Sequence, residues 1–304
     1  MNEHMIMDSK IKIGYFGDGK WAHEAFKKLD EDNSIQIMFV TTRYESQDPI
    51  LIEMARDRGI PVELSPNINS DEFLNRIRGY CVDLFVSMSF NQIFKSTAIS
   101  LPLLGTINCH AGKLPFYRGR NILNWALIND EKEFGITVHY VDEGIDTGDI
   151  ILQKTYRITD DDDYCTLLDR AYKGCAEVLY DSIKMIQKND VFIIKQDTID
   201  PFGTYCGIRK AGDEVIDWNK TSRELFNFVR AICKPGPMAT TYLNGSEMKI
   251  NKVRYFEGIK PYINIPGQIL GKSKEGYYVK TKDTYVELTD FIYNGKIRVG
   301  DRLG

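Results

Sequence analysis

Near the middle of the chain an amide and an imidazole stand two residues apart: Asn108 and His110, closing the segment Gly105 to His110 (GTINCH). A carboxylate, Asp146, follows in Gly144-Ile145-Asp146-Thr147-Gly148-Asp149. Side chains alternate along a strand, so Asn108 and His110 lie on one side of it. Brought together, the three groups suit acyl transfer. The amide donates to a developing oxyanion, the imidazole donates or shuttles a proton, and the carboxylate orients the imidazole. A lone Asn-x-His is usually structural. The composite is far more specific, because Leu114-Pro115-Phe116-Tyr117-Arg118-Gly119 stands between its two halves.

A second pattern is Gly17-Asp18-Gly19-Lys20-Trp21-Ala22, a G-x-G-x-x-A run after an apolar segment. A dinucleotide enzyme would set a pyrophosphate on such a turn. It would also want a carboxylate at the end of the second strand, which here reads Thr41-Thr42-Arg43. An NAD(P)-dependent oxidoreductase is therefore kept as an alternative, and a tight strand-to-helix turn is the plainer reading.

The elements that must position these groups follow from periodicity. Lys10 to Phe16, Ile35 to Val40, Leu84 to Met88 and Gly105 to His110 read as strands, with helical spacing at Trp21 to Leu29 and Pro49 to Arg58. This alternation predicts a parallel-rich sheet covered by helices. A helix at Asn121 to Asn129, strands at Gly135 to Val141 and Asp149 to Tyr156, and a long helix at Asp163 to Gln187 follow. A short strand is expected at Val191 to Lys195. Thr221-Ser222-Arg223-Glu224 is a capping box opening a helix that stops before Lys234-Pro235-Gly236-Pro237. Short strands then recur (Ala239 to Leu243, Met248 to Tyr255, Gly267 to Leu270, Tyr277 to Lys280, Tyr285 to Leu288), with a hairpin signal at Asn244-Gly245. They suggest a small barrel.

Composition narrows the class. With 43% hydrophobic and 27% charged residues, the 304-residue chain is an ordinary globular protein, not a disordered one. The start, Met1 to Lys12, is polar and lacks the apolar core of a signal peptide, and no apolar run approaches the ~18 residues of a membrane helix. The six cysteines form no C-x-x-C pair, and the four histidines have no metal-binding spacing. A reduced, cytoplasmic protein without a metal is expected. The net charge is −4, but from Tyr205 onward 17 Lys and Arg face 11 Asp and Glu, giving +6 there and −10 before it.

The Asn108-Cys109-His110, Leu-Pro-Phe-Tyr-Arg-Gly and Ile-Asp-Thr-Gly-Asp segments, at these distances, resemble the 10-formyltetrahydrofolate-dependent formyltransferases. Asp213 to Trp218 (DEVIDW), and Val229-Arg230-Ala231 with Pro235-Gly236-Pro237, extend the likeness into the last third. The resemblance is nearest to sugar-nucleotide N-formyltransferases of the UDP-4-amino-4-deoxy-L-arabinose type, relatives of methionyl-tRNA formyltransferase. It implies a Rossmann-like catalytic domain over residues 1–189, a connector over 190–204, and a small OB-like C-terminal barrel over 205–304.

The family's catalytic Asn, His and Asp fall on Asn108, His110 and Asp146. All three are present, which argues against a binding module that has lost catalysis. The implied co-substrate is 10-formyltetrahydrofolate, with its pterin beside Met88, Ser89, Phe90, Ile93, Tyr140, Asp142 and Gly144. The acceptor would be a UDP- or dTDP-linked amino sugar for surface polysaccharide synthesis. It would be held by Tyr15, Gly19, Lys20, Trp21, Arg118, Arg120, Arg209 and Arg230. Nucleic acid and membrane are not expected partners, and a homodimer is the family-based expectation. The alternative acceptor is methionyl-tRNA. Enzymes of that branch carry a long basic insertion after the second strand, where Thr41 to Pro49 (TTRYESQDP) is short and holds one basic and two acidic residues.

Overall fold

The computed structural model describes residues 10–304; the rest of the polar start discussed above, 1–9, lies outside them. The chain forms two compact units. The first comprises the chain through Gly119, then Gly135–Tyr156 and Arg170–Tyr205; the second comprises Arg120–Phe134, Arg157–Asp169 and Cys206–Gly304. Packing thus groups two segments from the middle of the chain with its last third.

In chain order the first elements are β1 (Ile11–Gly17), α1 (Gly19–Asp30), β2 (Ile35–Thr41), α2 (Pro49–Asp57), α3 (Asp71–Arg78), β3 (Leu84–Met88), α4 (Ser96–Ile99) and β4 (Thr106–His110). After them come β5 (Arg118–Gly119), α5 (Ile122–Ile128), β6 (Glu133–Tyr140), β7 (Ile150–Arg157) and α6 (Tyr164–Gln187). A six-stranded sheet runs in the order β2-β1-β3-β4-β6-β7. The pairs β1/β2, β1/β3 and β3/β4 are parallel, and β6 lies antiparallel to β4. Gly17 pairs with Met88, and Met88 with Cys109, so the carboxyl ends of β1, β3 and β4 share one edge. That edge is where open α/β sheets place ligands. Beneath it Phe16 meets Phe39, Phe85 and Phe94 edge-to-face at 5.6, 5.1 and 5.0 Å. Such pairs add ~0.5–1.5 kcal/mol each beyond burial.

The strand expected at Val191 to Lys195 is corrected. Only Ile194 pairs, exchanging two backbone hydrogen bonds with Ile150 at 2.8 and 3.0 Å. One bridged residue offers too little ladder for a strand.

The second unit holds β8 (Tyr205–Cys206) from Cys206 on, α7 (Ser222–Ile232), β9 (Ala239–Leu243), β10 (Ser246–Arg254), β11 (Ile269–Lys272), β12 (Tyr277–Lys280) and β13 (Tyr285–Ile292). The last five form an antiparallel sheet in the order β11-β12-β13-β10-β9, consistent with a small barrel. Thr221 and Glu224 form the expected capping box, and Asn244-Gly245 turns β9 into β10 with both residues at positive φ. Arg223 ties α7 to Asp160 at 2.6 Å and to Asp130 at 2.5 Å.

The first turn explains the glycine-rich run. A Cβ on Gly17 would lie 2.7 Å from that of Ala22, so glycine permits close strand-to-helix packing. Gly19 N–H at the start of α1 is already taken: it donates to buried Asp48 Oδ2 at 2.7 Å, and His23 Nε2 lies 2.6 Å from the same oxygen. Asp48 Oδ1 caps α2 by accepting from Ile50 N and Leu51 N. A protein carboxylate thus fills the place a pyrophosphate would take, which removes the ground for the dinucleotide reading. Arg43, the other candidate for a cofactor phosphate, pairs with Asp18 at 3.2 Å and donates to Ser89 O at 2.8 Å.

Burial would raise the Asp48 carboxyl, but the Leu51 and Gly19 N–H groups and His23 leave it below its ordinary value. A depressed folded pKa stabilises above the unfolded value of about 3.9, and that stability is lost as pH falls through the folded pKa. Asp48→Ala is expected to cost about 2 kcal/mol near neutrality, the scale of a lost cap plus an unmet buried donor. In urea melts the gap from wild type should be widest near neutrality and shrink toward about pH 3. A gap independent of pH would show that the charge is irrelevant.

Candidate active site

Asn108 and His110 leave the carboxyl end of β4 on the same face. Register then brings in a third polar side chain. Asn108 pairs with His139 across the antiparallel β6, and His110 pairs with Thr137. Asn108 Nδ2 lies 3.3 Å from His139 Nε2. His139 Nδ1 is 2.7 Å from the Tyr140 carbonyl, which can only accept, so Nδ1 carries a proton. His139 Nε2 thus stands between the Asn108 amide and Asp146 Oδ1 and limits where that amide can point.

His110 is buried between two acceptors. Its Nε2 donates to the Tyr117 carbonyl at 2.7 Å, and its Nδ1 lies 3.5 Å from Asp146 Oδ2. A ring protonated on both nitrogens puts one N–H on each. Asp146 Oδ2 accepts from Gly119 N at 2.9 Å, and its Oδ1 stands 3.5 Å from His139 Nε2. Burial works to raise the Asp146 carboxyl, but the charge of His110, the hydrogen bond and charge of His139 and the Gly119 N–H hold it well below the usual carboxylate range. Asp146 has φ 53°, a left-handed conformation that costs a non-glycine residue of order 1 kcal/mol or more.

Two residues outside the sequence expectation belong here. His139 was hidden because its facing of Asn108 depends on which strands are neighbours. Gly112 is the other: a Cβ there would press on His110 Nε2 and lie 2.6 Å from the Tyr117 carbonyl, so only glycine lets that hydrogen bond close.

The expected folate-side residues have distinct settings. Met88 is buried at the end of β3, and Ser89 follows at positive φ with its carbonyl held by Arg43. Phe90 packs on Phe16 at 5.6 Å, while Ile93 is 64% exposed. Tyr140 ends β6, and its carbonyl holds His139. Asp142 Oδ1 accepts from Gly144 N at 3.1 Å and from Thr147 Oγ1 at 2.6 Å, which shapes the loop ahead of Asp146.

On the acceptor side three expectations are corrected. Tyr15 is completely buried and donates to Ala22 O, so it is a core residue. Arg118 is buried, with Nε and Nη2 donating to Gln196 Oε1 at 3.1 and 2.7 Å and Nη1 to Phe202 O at 3.3 Å. Arg230, in the second unit, is buried and bonded to Asn227 Oδ1 and to the Thr159 and Asp162 carbonyls. Guanidinium groups bound in this way by their own chain are structural cations. Gly19 opens α1, Lys20 lies 4.7 Å over the Tyr172 ring, and Trp21 meets that ring edge-on at 4.5 Å. In the second unit Arg120 is exposed, and Arg209 donates to Asp213 O at 2.7 Å. Among the described residues no group of three or more His, Cys, Asp or Glu could hold a metal, and no helix is long and apolar enough to cross a membrane.

A parallel-rich sheet with an amide, an imidazole and a carboxylate at its carboxyl edge is built for acyl-type group transfer. The formyl transferase family model matches residues 10–183, and that of the formyl transferase C-terminal domain matches 209–300. The chain belongs to the formyl transferase family, and it is a one-carbon transferase. It is 32% identical to the methionyl-tRNA formyltransferase of Ruminiclostridium cellulolyticum over 314 residues, 97% of this chain and 100% of the relative. It is 33% identical to that of Alkaliphilus oremlandii over 301 residues, 96% and 95% of the two chains. Among solved structures it resembles WlaRD, a sugar 3N-formyl transferase crystallised with dTDP and 5-N-formyl-THF (TM-score 0.66, 22% identity, 97% and 98% covered). It also resembles the Helicobacter canadensis N-formyltransferase in complex with folinic acid and dTDP-3-aminofucose (TM-score 0.66, 22% identity, 93% and 100% covered).

Gly112→Ala should lower kcat about ten-fold or more with donor KM within about two-fold, because the added methyl displaces His110 from the Tyr117 carbonyl. His139→Leu should produce a loss of similar order by freeing the Asn108 amide. Steady-state kinetics at saturating donor check both, and unchanged kcat would mean that neither contact matters to the reaction.

Proposed function

We propose that the protein moves the formyl group of 10-formyltetrahydrofolate to the amine of a UDP- or dTDP-linked amino sugar. The observation that carries the choice of acceptor is the segment between β2 and α2. Residues 42–48 hold a single cation, Arg43, which is tied to Asp18 and Ser89, while Asp48 is buried under α1. A tRNA acceptor stem needs phosphate neutralisation, and this segment has nothing left to give it. A sugar diphosphate needs only a few cations, and Lys20, in the first turn of α1, is assigned to it.

The chemistry assigned to the site is as follows. The neutral amine attacks the formyl carbon, and the carbonyl becomes an oxyanion. An amide hydrogen of Asn108 and an N–H of His110 stabilise it. Asp146, ionised well below neutrality, faces His110 Nδ1 and orients the ring. As the C–N bond to folate N10 breaks, the proton shed by the amine ends on N10, relayed through His110 and Asp146. The pterin is assigned to the loops Met88 to Ile93 and Tyr140 to Asp146.

Methionyl-tRNA is the second reading, favoured by 32% identity to such an enzyme over 97% of this chain and by the +6 charge from Tyr205 onward. The two separate cleanly. Formyl transfer is measured by mass gain on UDP- and dTDP-linked amino sugars and on methionyl-initiator tRNA, at low and high salt. The sugar panel should be formylated with weak salt dependence and the tRNA should not. Efficient, steeply salt-sensitive tRNA formylation with an inert sugar panel would overturn the proposal. On the active acceptor, Asn108→Ala should cost about 100-fold in kcat, with folate affinity little changed. A change confined to KM would make Asn108 a binding residue.

A further inference from the structure

Gln196 lies between the two family matches, in a stretch that neither 10–183 nor 209–300 includes. It sits in a short 3-10 turn, Gln196–Thr198, in the first unit and is only 3% exposed. Every polar atom of its side chain is engaged. Nε2 donates to the carbonyls of Asp146 at 2.8 Å and Gly148 at 2.7 Å. Oε1 accepts from Arg118 Nε and Nη2 at 3.1 and 2.7 Å.

These bonds close a ring through the site. Gln196 holds the backbone of Asp146, and Asp146 Oδ2 holds the N–H of Gly119. Gly119 follows Arg118, which returns to Gln196. Tyr117, just before Arg118, offers the carbonyl that accepts from His110 Nε2. Both acceptors around His110 are therefore set from one carboxamide. Asp146 also stands at φ 53°, a less favoured conformation that the bond from Gln196 helps to hold.

The geometry points to Gln196, with Arg118 as its partner, as the positioning residue for Asp146 and His110. It touches no reacting atom and acts by fixing the Asp146 backbone and the Tyr117–Gly119 segment. This inference rests on the proposed roles of Asp146 and His110, and its experiment separates the two.

Gln196→Glu keeps the acceptor for Arg118 and removes both donors to the carbonyls; Gln196→Met removes all polar contacts at similar volume. Two readouts are taken from the full chain. The first needs no acceptor: hydrogen exchange of the Gly119 amide, with the amides of Thr106–His110 as control. The second is kcat and donor KM for formyl transfer to a UDP- or dTDP-linked amino sugar or to methionyl-initiator tRNA. Each variant is also made in the Asp146→Asn background.

Both variants should lose Gly119 protection while β4 keeps its own, and kcat should fall about ten-fold or more with donor KM within about two-fold. In the Asp146→Asn background the further loss should nearly vanish, since coupled residues are not additive. Unchanged protection at Gly119, an equal fold-loss in both backgrounds, or an unchanged kcat would each overturn the inference. Parallel loss of protection across β4 would do so too, by showing a general folding role. If Asp146→Asn alone keeps full activity, the catalytic reading fails while the exchange result still decides whether Gln196 fixes Gly119.

Discussion

The site depends on one largely buried carboxylate kept charged. Asp146 stands in a left-handed conformation with two imidazoles and a backbone N–H aimed at it. A buried carboxylate is costly unless paired and hydrogen-bonded, so its neighbours follow from it. His110 and His139 occupy the two strands that face each other at β4 and β6, and Gly119 turns its N–H inward. Remove the charge and each of these groups loses one of the contacts that orient it. That is why the depressed Asp146 carboxyl and the placement of His110 are two views of one arrangement.

How much of this was legible in the residues depended on range. The strand ending in Asn108 and His110, the capping box at Thr221, the hairpin at Asn244-Gly245 and the short strands of the last third all rest on local pattern, and the structure holds each of them. What escaped was long-range. His139 faces Asn108 only because β6 runs antiparallel beside β4, a neighbour choice that alternation alone does not encode. Gln196 bonds to partners 50 and 78 residues away. Tyr15, Arg118 and Arg230 misled for the opposite reason. Polar residue types near a recognised motif read as ligand contacts, yet each is buried with its polar atoms bound to its own chain.

The glycine-rich first turn shows the same principle at work against a motif. Its backbone is of the kind that binds anions, with Gly19 N–H at the opening of α1. The anion is supplied from within, because Asp48 reaches the amide before any ligand can. Asp48 also caps α2, so one side chain joins the starts of two helices. A segment pinned at Arg43 and Asp48 has little slack to wrap a macromolecule.

A last point concerns how the site could discriminate the transition state from the ground state. His110 Nε2 donates to the Tyr117 carbonyl, a neutral acceptor at 2.7 Å. A hydrogen bond to an oxyanion is roughly twice as strong as one to a neutral oxygen. On the proposed mechanism, a ground-state formyl oxygen, itself neutral, gains little by competing for that proton. The oxyanion formed after amine attack competes well. The interaction would then strengthen only as charge develops, which is the condition for raising kcat instead of merely tightening binding. Gly112 allows the resting bond, and Asp146 holds the ring while its partner changes. On that mechanism the carbonyl of Tyr117 keeps His110 aligned, at low cost, for an acceptor present only in the transition state.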